Sequence, residues 1–296
     1  MTKRMYLLLG VIIAALFGGA IWYLGEKGQS SYVVIAPPSN LSDSVDVSRP
    51  PTEYPLVVTQ RIQRNDATAR YTIDAEYPSI VLATDPRTAQ LASDIFKGEV
   101  GRMIDEFVQN AQESASPENV PLESSSELTI RYQPVLLTPS LISVRFDRSM
   151  FFRGAARPNA DVRVVQYSTV DHALLSTSDL FVPGSDYLGF LSDYTRSRLM
   201  DRFTDLPRNA LEEAVVPGTE PKPENFRDVL VTPMGLTVYW SPGIVAPYAR
   251  GIVTVDIPQA DISARLSSIV RNAIQEANAS STSPSEPSIQ MMEDGN

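Results

Sequence analysis

The sequence predicts an α+β fold with a mostly antiparallel sheet and long packed helices, preceded by one transmembrane helix. Three observations predict it. Strand-like runs with alternating apolar residues follow one another closely, as in hairpins. Segments with apolar residues at helical spacing lie between and after them. Ahead of both is a twenty-residue stretch without a charge. The chain has 296 residues, 43% hydrophobic, which suffices for one sizeable core or two modest ones.

The N-terminus is read first. After "MTKR", residues 5–24 carry no charge, and twenty helical residues rise about 30 Å, the thickness of a bilayer's hydrocarbon core. Tyr6 at one end and Trp22 and Tyr23 at the other suit the interfaces, and Lys3 and Arg4 favour a cytoplasmic N-terminus. The expectation is a cytoplasmic stub, 1–4, and an anchor, 5–24. A cleaved signal peptide is the alternative, and "AIWYLGEKG" matches its small-residue cleavage pattern poorly. Both readings export the rest, to a periplasm or the exterior. Residues 25–54, rich in Ser, Pro and Gly, read as a flexible linker. Residues 277–296 read as a disordered tail.

The domain is expected at 55–276; two subdomains with a boundary near 180–220 remain open. "YPLVVTQRIQR" and "ARYTIDAEYPSI" read as strands, with apolar residues on alternating positions: Val57, Val58 and Ile62, then Tyr71, Ile73 and Ala75. A long helix follows over 85–111. Asp85 caps it, Pro86 opens it, and Leu91, Ile95, Met103 and Phe107 trace its face. Residues 127–139, 140–152 and 160–170 read as three strands. A second helix spans about 184–205, with Leu188, Leu191, Leu199 and Phe203. "GLTVYW" and "GIVTVDIP" are strands about a Pro-containing loop. A last helix spans about 259–276, with Ile262, Leu266, Ile269, Val270 and Ala273.

Composition excludes several chemistries. There is no cysteine, so no disulfide, thiol nucleophile or lipidated cysteine exists. One histidine, His172, leaves too few nitrogen and sulfur ligands for a usual zinc site. A net charge of -10 disfavours nucleic acid. Lys3 and Arg4 are the only charges before Gly25, so the exported part holds 23 basic and 35 acidic residues, a net -12. No cofactor and no enzymatic activity are expected.

Two motifs carry a resemblance. One is "FFRGAARPN", 151–159, followed by "STVDHALLSTSDLF". The other is "GLTVYWSPGIVAPYARGIVTVDIP", with Gly235, Tyr239, Pro247, Tyr248 and Gly251. Together they resemble the extracytoplasmic domain pair of lysozyme-sensing anti-sigma factors (RsiV type) and the accessory domain of peptidoglycan deacetylases (PdaC type). The similarity runs from about Tyr71 to Ile262. Arg157 stands where a histidine is usual in that family. The resemblance implies a binding or sensing module outside the cytoplasm, and a lysozyme-like muramidase as one possible ligand class.

The candidate binding residues are Arg157, Asn159, Tyr239, Trp240 and Tyr248. Each also has a structural reading. In the first loop Gly154 can take positive φ, Pro158 stiffens the chain and Asn159 suits a turn, so a corner between strands competes with a binding edge. Tyr239, Trp240 and Tyr248 can equally be core. His172 reads as an exposed turn residue, Asp179 as a turn cap, and Asp74 and Glu76 as a solvated face. The expected function is a membrane-anchored envelope domain that binds a protein or wall-derived ligand. A peptidoglycan-modifying enzyme or accessory subunit, and a structural protein of envelope complexes, are the alternatives.

Overall fold

The structure, a computed structural model, describes residues 54–113 and 124–281. The expected stub, anchor and nearly all of the linker lie outside those residues, as does the tail from 282 onward. Among the described residues no helix is long and apolar enough to cross a membrane.

The fold is α+β. A six-stranded sheet runs in the order β1 (Leu56–Asp66), β2 (Tyr71–Val81), β3 (Ser126–Leu137), β4 (Leu141–Phe151), β5 (Asn159–Ser168) and β6 (Ala173–Leu174). Every neighbouring pair is antiparallel except β2–β3. A parallel pair needs a crossover, and the 28-residue helix α1 (Pro86–Glu113) accompanies it. Asp85 caps α1: Thr88 donates its backbone N–H to Oδ1 at 3.0 Å and its hydroxyl to Oδ2 at 2.6 Å. The buried stripe of α1 is Ala89, Ala92, Phe96, Val100, Met103, Ile104, Phe107 and Ala111. Leu91 is not on it. One residue from Ala92 is about 100° around a helix, and Leu91 is 39% exposed.

Successive residues of β4 separate two cores. Ile142, Val144 and Phe146 face the core under α1, whereas Leu141 joins a second core. A three-stranded antiparallel sheet builds that second core: β7 (Val229–Thr232), β8 (Gly235–Trp240) and β9 (Val253–Pro258). Around it pack α2 (Tyr187–Arg202), α3 (Arg208–Gly218), α4 (Gln259–Ile262) and α5 (Ser268–Ser281). Gly235 holds the β7–β8 turn at φ 140; a Cβ there would meet the Ile257 carbonyl oxygen at 2.2 Å.

Several elements depart from expectation. The second helix is shorter, and α3 and β7 are additional. The last helix is interrupted: Val182 donates to the Arg265 carbonyl and Ser267 to that of Leu180, so 265–267 pair with 180–182 instead of coiling. It then continues to Ser281, past the 276 expected.

Gln166 joins the two sheets. Its Nε2 donates to the Val229 carbonyl at 2.9 Å, and its Oε1 accepts from Val231 N–H at 2.8 Å and from the Ser143 hydroxyl at 3.2 Å. The side-chain amide thus serves β7 as a neighbouring peptide group would. Beside it, Asp228 Oδ1 accepts from Val164 N–H at 3.1 Å. Burial pushes the Asp228 carboxyl up, against the pull of Arg227. Gln166→Leu fills the space but strands two buried backbone groups of β7. It should cost about 2–6 kcal/mol, at about 1–3 for each of the two unsatisfied groups, which urea unfolding followed by circular dichroism measures.

Candidate functional site

The corner reading and the edge reading of 151–159 both describe part of the loop. Its first half is anchored. Phe152 stacks on Phe107 of α1 with centroids 5.5 Å apart, and Arg153 N–H donates to the Ser126 hydroxyl at 3.0 Å. Gly154, at φ 87, turns the chain. The second half reaches the other sheet. The Arg157 guanidinium lies 3.8 Å from the centroid of the Tyr248 ring, and the Tyr248 hydroxyl donates to the Pro158 carbonyl at 3.1 Å. Tyr248 opens a short 3-10 turn after Pro247, between β8 and β9. Residues 90 apart in sequence therefore close one surface contact.

Further cation–ring pairs involve the same elements. The Arg145 guanidinium of β4 is 5.6 Å from the Tyr239 ring of β8. Arg145 also donates to Asp147 Oδ2 at 2.7 Å, while Asp147 Oδ1 is buried without a partner among the described residues. Arg250 pairs with Asp205 and lies 5.6 Å from the Phe203 ring. Asn159 starts β5, exposed and in register with Met150. Such contacts are worth about 0.5–1 kcal/mol each when exposed, and more once a partner excludes water.

Trp240 is the exception among the candidates. It is 3% exposed, its indole N–H donates to the Gly218 carbonyl at 3.2 Å, and it meets Phe226 edge-on. On β8 the adjacent Tyr239 points outward, so Trp240 points in. It belongs to the second core and not to a binding surface.

Residue-level readings elsewhere are as follows. His172 sits exposed in the β5–β6 turn at φ 52, with Nδ1 3.5 Å from the Tyr167 hydroxyl. Asp179 accepts from Ser176 N–H at 2.8 Å and from its hydroxyl at 2.6 Å, which closes a capping box. Asp74 lies between two arginines: Arg61 grips it with two bonds of 2.6 Å, and Arg131 reaches Oδ2 at 2.5 Å. Chiefly the Arg61 bond, opposed by some burial, holds Asp74 down to about 2. This stabilisation is complete above the ordinary carboxylate value of 3.8 and is lost as pH falls through about 2. Asp74→Asn should flatten the stability curve between about pH 4 and pH 2, the window between those two values, in acid titrations of unfolding.

One feature had no clear sequence signal. A cleft of about 830 Å³ lies between β6, the segment 178–187 and the start of α5. Leu174, Phe181, Val182, Tyr187 and Ile269 give it apolar walls. The volume suits a small ligand. Its two carboxylates are engaged, Asp179 as above and Asp171 with the Ser168 hydroxyl at 3.1 Å. Among the described residues no group of three metal-ligating side chains occurs.

The comparisons agree with this architecture. Residues 178–260 match a family described as "Protein of unknown function (DUF3298)". That stretch includes α2, α3, the three-stranded sheet and Tyr248. No curated protein matches the chain. Among solved structures, a member of the DUF3298 family from Bacteroides fragilis is 19% identical, with a TM-score of 0.54 over 75% of this chain and 98% of that one. A DUF3298 family protein from Pseudomonas aeruginosa is 14% identical, with a TM-score of 0.50 over 74% of this chain and 95% of that one. At these identities the likeness is one of fold.

Proposed function

We propose that the chain is a binding and sensing domain, carried outside the cytoplasm on a single-pass anchor at 5–24. It holds a protein or wall-derived ligand at the cell envelope through the face built by Arg157, Tyr248, Arg145 and Tyr239. The observation that carries the reading is the Arg157–Tyr248 closure, which brings both resemblance motifs to one surface. Arginine and tyrosine are the residue types that dominate binding energy at protein interfaces, because they combine large contact area with directed hydrogen bonds. The reading is of a binder: the carboxylates near the cleft serve as turn caps, Asp171 on Ser168 and Asp179 on Ser176.

The partner class supported best is a basic protein of the muramidase kind. The resemblance supplies the class, and the net -12 outside the membrane supplies long-range attraction. Calorimetry of the full chain with lysozyme at about 0.15 M salt tests it, since nonspecific attraction is largely screened there. Tyr248→Ala and Arg157→Ala should each weaken binding about tenfold, or 1.4 kcal/mol. Equal heat with any basic protein of similar size, or no heat, removes the muramidase reading.

A further inference from the structure

We propose that the cleft between β6, residues 178–187 and the start of α5 captures the C-terminus of an extended peptide whose last residue is apolar. Unused donors gather at the α5 side. The first helical hydrogen bond there runs from the Arg271 N–H to the Ser267 carbonyl, so the N–H groups of Ser268, Ile269 and Val270 have no acceptor within the helix. None has one elsewhere among the described residues. Ser267 stands at the N-cap position, yet its hydroxyl caps nothing. Its oxygen is buried without a partner among the described residues, and so is that of Ser185, which also lines the cleft. Folded chains seldom leave buried hydroxyls unpaired, and a rotation about χ1 re-aims each of them. Arg271 adds a positive charge to the same wall, with Nη1 on the Leu266 carbonyl.

Free N–H groups at the positive end of a 14-residue helix, two hydroxyls and a guanidinium suit an anionic acceptor with several lone pairs, and a carboxylate is one. The cleft's own carboxylates do not fill that role. Asp171 is held by Ser168 and Asp179 by Ser176, each in its own turn.

The other walls select the rest of the ligand. Phe181 and Tyr187 stack with centroids 5.0 Å apart, and Leu174, Val182 and Ile269 extend that apolar surface. β6 supplies a direction. It is last in the sheet order, and Leu175 donates its N–H to the Gln166 carbonyl. The N–H and C=O of Leu174, one residue earlier, therefore point away from β5, where they have no partner among the described residues. A peptide unit laid along β6 pairs with them as an added strand. A free strand edge, an apolar pocket and a cluster of N–H groups for a terminal carboxylate are together the means by which proteins hold peptide C-termini. A small free carboxylate would use the last two and leave the Leu174 edge idle, so the peptide is favoured. The Arg157–Tyr248 face shares no residue with this cleft.

Fluorescence anisotropy of the full chain with an N-terminally labelled Ser-Gly-Ala-Leu peptide tests this. Saturable binding is expected, and the C-terminal amide of the same peptide, which keeps the shape and lacks the charge, should bind at least about tenfold more weakly. Unlabelled N-acetyl-leucine, the free-carboxylate arm, should compete at least about tenfold more weakly than unlabelled peptide. Ser268→Asp sets a rival carboxylate at the start of α5. Acidic residues are favoured there, so Tm should hold or rise while affinity falls at least about tenfold. Tyr248→Ala should leave peptide affinity unchanged, which separates this site from the envelope-partner face. No saturable binding up to about millimolar peptide, the weak end of specific affinity, would overturn the proposal. Equal affinity of acid and amide would overturn it too, and that comparison needs no variant. N-acetyl-leucine competing as well as the peptide would reduce the cleft to a small-carboxylate site. Unchanged affinity in Ser268→Asp would place the peptide elsewhere.

Discussion

Arg148→Ala should be the most damaging surface-distant substitution in the first core, costing about 3–5 kcal/mol, the range for removing one partner of a buried ion pair. The Arg148 side chain is 2% exposed on the α1 side of β4. It grips Asp161 of β5 with bonds of 2.7 and 2.5 Å and reaches Glu106 of α1 at 2.8 Å. Burial alone would favour loss of its proton; Asp161 and Glu106 outweigh that and hold the guanidinium charged. Truncation leaves Asp161, whose side chain is 17% exposed, without its counter-charge. For a fold of this size the loss corresponds to a fall in Tm of roughly 10 °C. Asp161→Asn in the Arg148→Ala background should recover part of it by neutralising the stranded carboxylate. If the double variant is no more stable than the single one, the cost lies in the lost packing of the arginine stem and not in the orphaned charge.

Trp240→Ala should cost a similar amount, about 3–5 kcal/mol, through the cavity left by a large core side chain. The hydrogen bond to Gly218 and the edge contact with Phe226 are lost with it. The functional consequence is a separation of effects. At a temperature where the variant remains folded, affinity for a partner should stay near that of the parent. Tyr248→Ala should do the reverse, with little change in stability and a weakened complex. Paired calorimetry and thermal unfolding of the two variants measure this. A selective loss of binding in Trp240→Ala would return the residue to the interface.

Much of the architecture was legible in the residues. Strands β2, β3 and β5 show because alternation survives where one face is more buried than the other, β4 shows as a longer apolar run between two cores, and α1 shows because it is long and carries its cap and opening proline in sequence. The rest is written in contacts. β7 is four residues buried on both sides and aligned by the Gln166 amide, so it has no alternation of its own. The break between α4 and α5 is set by pairing with 180–182, some eighty residues away, against a local pattern that reads as helix. Leu91 shows the limit of face assignment by hydrophobicity: the buried position beside it is the smaller Ala92, which is fully buried. The site was half legible. Arg157 and Tyr248 could each be named, but only the fold brings one onto the other. Tyr239 and Trp240, adjacent aromatics on one strand, could not both be outward.

The Tyr54 hydroxyl donates to the Glu276 carbonyl at 2.8 Å, which ties the start of the first strand to the last helix. Ser281 lies five residues beyond Glu276, about 7.5 Å along a helix. The entry and exit of the described fold are therefore neighbours. Topologically the domain is nearly a closed ring, and a short Gly–Ser bridge could seal it while the chain is reopened elsewhere, for example in the exposed 155–157 turn. It also suits grafting into a surface loop of another protein, because a host need only offer two attachment points close together. In its natural setting, whatever flanks the domain on either side departs from the same corner.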